Sequence, residues 1–139
     1  TLSKEILNLL IHGLVALQKG RIPLLVSSAF ALKLMQITGY PPHVKSCASC
    51  NTSDIEQIFF SFKNNGFICE NCAKHDNEAV RVDIGTAKGI MYVLCAQNGK
   101  VFNFELSDEV LKAFSNIAFK YISQHLDKNY KKLDILNEL

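Results

Sequence analysis

Two matched cysteine pairs, Cys47-x2-Cys50 and Cys69-x2-Cys72, stand eighteen residues apart in this chain. A segment built this way must double back so that the pairs meet. Four thiolates around one tetrahedral centre is the donor set a structural Zn²⁺ prefers, and the spacing lies within the range of such sites. A shell filled by four sulfurs leaves no position for water or substrate. The pattern therefore predicts one Zn²⁺, held by Cys47, Cys50, Cys69 and Cys72, that staples the fold and does no chemistry. His43 and His75 lie nearby in sequence and read as bystanders once four cysteines are present. Disulfides suit exported domains with small cores, and no export signal is visible. A redox Cys-x-x-Cys centre needs one pair beside a βαβ unit, which this pattern lacks. The fifth cysteine, Cys95, sits in the apolar run 91–96 and reads as a small core hydrophobe.

The residues between the pairs supply the doubling back. Residues 58–62 are aromatic and β-branched and read as a strand. Asn65 and Gly66 form a hairpin-turn signal, and residues 67–69 make the return strand. A knuckle at 47–50, the hairpin, and a second pair opening a short helix make a treble-clef-like finger within residues 43–80.

Helices are predicted around this module. Leu2 to Gln18 is apolar on more than one stripe, so it should be buried on most sides, with Ser3 as its N-cap. Gly20 ends it, and Pro23 suits the first turn of a second helix that stops at Gly39 ahead of Pro41 and Pro42. A third helix runs from Thr86 or Ala87 to Ala96, weakened by Gly89. Ser107 caps a fourth, whose apolar positions from Val110 to Leu126 recur every three or four residues. His125 falls late on it, where a packing or capping role at the helix C-terminus is expected. The tail 129–136 reads as one more turn. The expected fold class is mainly α: a helical bundle with an inserted treble-clef-like zinc finger containing a short β-hairpin, within a single helical domain over 1–139. With 48% apolar residues, such a chain can fill one core.

Charge narrows the function classes. The formal charge of +2 counts every cysteine as a neutral thiol. Four thiolates and one divalent ion remove two charges, so the metal-bound chain sits near zero. Proteins that grip phosphate backbones show a clearer basic excess, so only weak binding to DNA is expected. Residues 1–50 carry five basic groups against one acidic, whereas 51–80 carry two against five. An anion-binding face is therefore expected on the N-terminal helices. Lys128, Lys131 and Lys132 form a small basic cluster, read as a solvated face or a weak DNA contact. No apolar run reaches the length of a membrane span. The stretch Gly85 to Gly89 lacks the spacing of a phosphate loop. No Ser/His/Asp or paired-carboxylate constellation can be assembled, so no enzyme is read here. Cysteines without export signals suggest a reducing, cytoplasmic setting.

Three longer blocks carry a resemblance. Phe30-Ala-Leu-Lys-Leu-Met-Gln-Ile-Thr-Gly-Tyr-Pro-Pro42 leads into the first cysteine pair. Phe62-Lys-Asn-Asn-Gly-Phe-Ile-Cys-Glu-Asn-Cys72 leads into the second, and Tyr121-Ile-Ser-Gln-His-Leu-Asp-Lys-Asn-Tyr-Lys-Lys-Leu133 lies near the end. In order and spacing these resemble the C-terminal region of the bacterial RecO recombination mediators. The resemblance implies a helical domain with a zinc finger, preceded in that family by an OB-fold that this chain lacks. It implies a nucleoid-associated role in DNA repair and homologous recombination, helping to load RecA. The implied partners are RecR and the acidic tail of single-stranded-DNA-binding protein, which ends in Pro-Phe. Such a tail needs an apolar pocket and a cation. Lys19, Arg21 and Lys33 are the candidate cations, and Phe30 or Leu34 could line the pocket. Two other classes fit the residues: a zinc-finger protein-binding adaptor unrelated to recombination, and a metal-dependent enzyme on nucleic acid with one coordination site opened.

Overall fold

Helices frame a small sheet in a computed structural model of the chain. The structure describes residues 1–137, and the side-chain surroundings of residues 1–128 apart from Asn98. In order, the elements are α1 (Leu2–Gln18), α2 (Pro23–Ile37), β1 (Ile58–Ser61), β2 (Gly66–Ile68), α3 (Glu70–Ala73), β3 (Val80–Val82), α4 (Ile84–Cys95), a 3₁₀ turn (Asn98–Lys100) and α5 (Asp108–Asn137).

The central element is α2, which packs against α1, α4 and α5. Pro23 opens it, since the missing N–H falls where no intrahelical bond would form. It ends at Gly39, whose φ of 96° is a left-handed conformation that suits glycine. Leu25, Ala29 and Leu32 of α2 meet Ile90 and Val93 of α4, Phe114 and Tyr121 of α5, and Phe60 and Phe67 of the sheet in one continuous core. Burying a side chain of this size contributes about 1.5–3 kcal/mol. The antiparallel sheet has the order β2-β1-β3.

The structure departs from the sequence reading in several places. Expected to be buried on most sides, α1 packs chiefly on α2 and the 3₁₀ turn. Leu7, Leu10, Ile11, Leu14 and Leu17 are left 40–57% exposed. Its N-cap is Thr1, which accepts from the Lys4 amide at 3.3 Å; Ser3 already lies inside the helix. Cys95 is no core residue: it is the last residue of α4 and is exposed. His125 is not near a helix end, because α5 continues to Asn137. It is buried mid-helix, stacked 4.4 Å from the Tyr121 ring. Strand β3 was not foreseen.

Candidate metal centre

The first knuckle is shaped by backbone bonds around Cys47. Its N–H donates to Thr52 O at 2.8 Å, and Asn51 N–H returns to Cys47 O at 2.9 Å. Asn51 sits at φ 69°, a conformation asparagine tolerates better than most residues. A side-chain chain braces this turn: His43 Nε2 lies 2.9 Å from Ser46 Oγ, and Ser46 Oγ donates to Asn51 Oδ1 at 3.0 Å. Ser46 has a single proton and gives it to Asn51. His43 therefore acts as donor from Nε2.

The hairpin then delivers the second pair. Strands β1 and β2 align Phe59 with Ile68, Phe60 with Phe67 and Ser61 with Gly66. The segment ahead of the first knuckle runs beside β2. There His43 N–H donates to Asn65 O, and Phe67 N–H donates to His43 O, each at 2.8 Å. That close passage requires Gly66, because a Cβ there would stand 2.2 Å from His43 O. Ala48 N–H adds a bond to Phe67 O at 2.7 Å. Cys69 is the N-cap of α3, and Cys72 follows on its single turn.

The four Sγ atoms all lie within 4.8 Å of one another. Cys50 Sγ and Cys69 Sγ are 3.8 Å apart. A Zn–S bond of about 2.3 Å sets sulfurs about 3.8 Å apart at the tetrahedral angle, so this donor set fits one ion of that kind. Neither His43 nor His75 belongs to the cluster. The amides of Cys50 and Cys69 point at Cys47 Sγ, at 3.4 and 3.3 Å. Burial opposes ionisation of Cys47, but these amides and that of Ser49 outweigh it and hold the thiol down to about 6. At Cys72 the Ser49 hydroxyl favours the thiolate. Burial and the three neighbouring sulfurs overcome it and push the thiol up to about 12. Cys72 therefore keeps its proton until a cation arrives. Around the sulfurs, Ile55, Phe59, Ile68, Ala73 and Ala79 form a small apolar shell of their own.

Fixed contacts join the module to α5. Gln124 Nε2 donates to Phe62 O at 2.7 Å, and Tyr121 Oη donates to Tyr40 O at 2.9 Å. Lys120 Nζ stands 4.4 Å above the Phe62 ring. The sequence reading missed these ties, although Tyr121 and Gln124 are one helical turn apart.

The residues expected to bind partners separate into two groups. Lys19 is exposed in the turn between α1 and α2. Arg21 shares that turn, with Nη1 3.4 Å from Phe104 O and 3.9 Å from the exposed Glu105 carboxylate. Phe30 lines a groove of about 480 Å³ between α1 and α2, together with Leu10, Leu14, Leu17 and Leu24. Lys33 and Leu34 are committed elsewhere. Lys33 Nζ donates to Ala96 O at 2.6 Å and Val93 O at 3.2 Å, closing the end of α4. Burial lowers its pKa, partly offset by the nearby Cys95. Leu34 packs against the core. Lys128 is exposed on α5, while the side chains of Lys131 and Lys132 lie outside the described residues.

Comparison with known proteins matches residues 3–134 to the family described as "Recombination protein O C terminal". A DNA repair protein RecO of Acetivibrio thermocellus is 33% identical over 138 residues, covering 99% of this chain and 55% of that protein. One from Caldicellulosiruptor bescii is 32% identical over 132 residues, covering 95% and 53%. Another from Alkaliphilus metalliredigens is 29% identical, covering 99% and 56%. The chain thus spans about half the length of the curated relatives it matches. No solved structure matches it significantly. Among the described residues, no helix is long and apolar enough to cross a membrane.

Proposed function

This chain belongs to the RecO family of DNA repair proteins, and on that premise we propose that it is the partner-binding part of a bacterial recombination mediator. The observation that carries the reading is the family match over residues 3–134. In this role the chain is no enzyme. It works in the cytoplasm, at the nucleoid, by docking single-stranded-DNA-binding protein and RecR so that RecA can be loaded. The ion at Cys47, Cys50, Cys69 and Cys72 is Zn²⁺ and is structural, because four sulfurs leave it no open position. It fixes the hairpin whose far side is tied to α5 through the Gln124 bond to Phe62 O.

The tail of single-stranded-DNA-binding protein docks in the groove between α1 and α2. The terminal ring enters among Leu14, Leu17 and Phe30, and Arg21 or Lys19 in the adjoining turn meets the carboxylate. Glu105 is almost fully exposed, so its pairing with Arg21 is weak and easily exchanged for a ligand carboxylate. DNA contact through this part is weak and made by the α5 surface around Lys128. Phe60, Phe62, Phe67, Phe102, Phe114 and Tyr121 are buried and cannot serve as base-stacking platforms.

Calorimetric titration of the zinc-loaded chain with an acidic peptide ending in Pro-Phe tests the reading. Salt-sensitive binding that Arg21→Glu weakens is the expected result. No heat of binding at low salt removes tail docking from this chain.

A further inference from the structure

We propose that the outer edge of β3 is a docking site for an extended, acidic, alternating peptide segment of a partner protein, added as a fourth strand. The reading is independent of the α1–α2 groove. Strand β3 is at the end of the order β2-β1-β3. The opposite end is already covered, since His43 bridges to Gly66 and exchanges bonds with the β2 side. Among the described residues, nothing bonds to Val80, Arg81 or Val82 from the outer side. An open edge of this kind is a template for strand addition, with main-chain bonds giving affinity and alternate side chains giving selectivity.

Two depressions flank the strand. One, of about 260 Å³, lies between β3 and α5 over Phe62, Ala113 and Ile117. The other, of about 470 Å³, is lined by Ile58 and Ile84, the latter 70% exposed. In an added strand, residues beside the one opposite Arg81 share the face of Val80 and Val82 and reach the first depression. Apolar residues suit those positions.

Charge fixes the occupant. Arg81 is exposed at the middle of the edge and has no ion-pair partner among the described residues. Lys120 rims the first depression. Of the nearby acids, Asp83 accepts from the Thr86 amide at 2.8 Å and hydroxyl at 2.9 Å, and Glu56 lines the second depression; neither forms an ion pair with Arg81. Pairing with a second copy would set Arg81 opposite Arg81, and like charges directly opposite are destabilising. A carboxylate in that place is favoured instead, so the fitting segment alternates apolar and acidic residues.

The test uses the full zinc-loaded chain and the probe acetyl-Val-Glu-Val-Glu-Val-amide, followed by amide NMR shifts and hydrogen exchange. Expected are saturable shifts at residues 80–82 and 113–120, with slowed exchange along β3. The Lys-for-Glu probe should bind at least about tenfold more weakly. A backbone N-methylated probe, which keeps the charges but loses the ladder, should not bind. Arg81→Glu should reverse the preference between the acidic and basic probes with zinc content unchanged. Several results would overturn the proposal: shifts confined to other surfaces, equal binding of both probes, or undiminished binding of the N-methylated one. So would the same shifts appearing on concentrating the chain alone, or displacement of the probe by a single-stranded oligonucleotide, which would make Arg81 a phosphate contact.

Discussion

The amide of Cys69 points at the sulfur of Cys47 from 3.3 Å, although 22 positions separate them in the chain. That contact and the 3.4 Å approach of the Cys50 amide give Cys47 two donors before any ion is considered. Charge-assisted bonds to a thiolate are stronger than bonds to a thiol. Cys47 is therefore the sulfur around which the two knuckles are organised.

Cys47→Ser should abolish tight zinc binding and loosen the two knuckles, while the helical core persists. The apolar shell around the sulfurs is a cluster apart from the main core, to which Phe60, Phe62 and Phe67 of the hairpin belong. Zinc stoichiometry by elemental analysis should fall from one ion per chain to near zero. Far-ultraviolet circular dichroism should keep most of its helical signal. Loss of that signal would mean the ion stabilises the whole domain.

Zinc uptake should release protons, and its affinity should fall as the pH is lowered. Ligand thiols must be deprotonated to bind. With its thiol held down to about 6, Cys47 is already ionised at neutral pH, whereas Cys72, pushed up to about 12, must give its proton to solvent. As pH falls through about 6, Cys47 protonates as well, and one more proton must leave for each ion bound. The slope of log affinity against pH should therefore steepen by one unit there. Competition with a chelator across pH 5 to 8 reads it, as does calorimetry in buffers of different ionisation enthalpy.

Gly66→Ala should disturb the metal centre without touching a ligand. The new methyl would stand 2.2 Å from His43 O, so the segment leading to the first knuckle must move off β2. Overpacking of this kind costs about 3 kcal/mol. Zinc affinity should drop with it, and both are read by chelator competition and thermal melting. An unchanged affinity would show that the knuckles meet without the His43 segment.

Much of this was legible in advance because it depends on local chemistry. The two cysteine pairs, the presence of a hairpin between them and the Pro23 and Gly39 boundaries all rest on residues whose backbone or ligand preferences are intrinsic, although the turn itself is residues 62–65 and Gly66 belongs to β2. Strand β3 was not legible, since Val80–Val82 is three residues long and owes its conformation to β1 rather than to its own pattern. Nor was the exposure of α1. A helix apolar on several faces does not tell how many of those faces its own chain will bury. Cys95 misled for a related reason: an apolar run does not mark where its helix ends. The ties from Gln124 and Tyr121 join residues far apart in sequence, and no spacing rule reaches that distance.

Tyr121→Phe should loosen the junction between α5 and the segment that follows α2. The hydroxyl satisfies Tyr40 O at 2.9 Å from a side chain that is otherwise buried. Removing it leaves a carbonyl without its partner, at a cost of about 1–2 kcal/mol. For a chain of this size the thermal midpoint should fall by about 3–6 °C, with zinc content unchanged. A midpoint equal to wild type would mean that water replaces the hydroxyl at no cost.

Lys33 and Arg21 should respond in opposite ways when replaced. The Lys33 ammonium holds Val93 O, Leu94 O and Ala96 O, where the end of α4 exposes carbonyls and its dipole favours a cation. Lys33→Met should therefore lower stability by about 1–3 kcal/mol and leave binding of the acidic tail peptide unchanged. Arg21 lies in the turn that joins the two helices of the groove, held only by a long bond to Phe104 O at 3.4 Å and a weak pairing with exposed Glu105, so Arg21→Glu should leave the thermal midpoint within about 1 °C and weaken the peptide several-fold. The two measurements together, melting and titration on each variant, separate a residue that closes a helix from one that meets a ligand. A Lys33→Met protein that melts normally but no longer binds the peptide would move the site to the cavity Lys33 shares with His12 and Gln36.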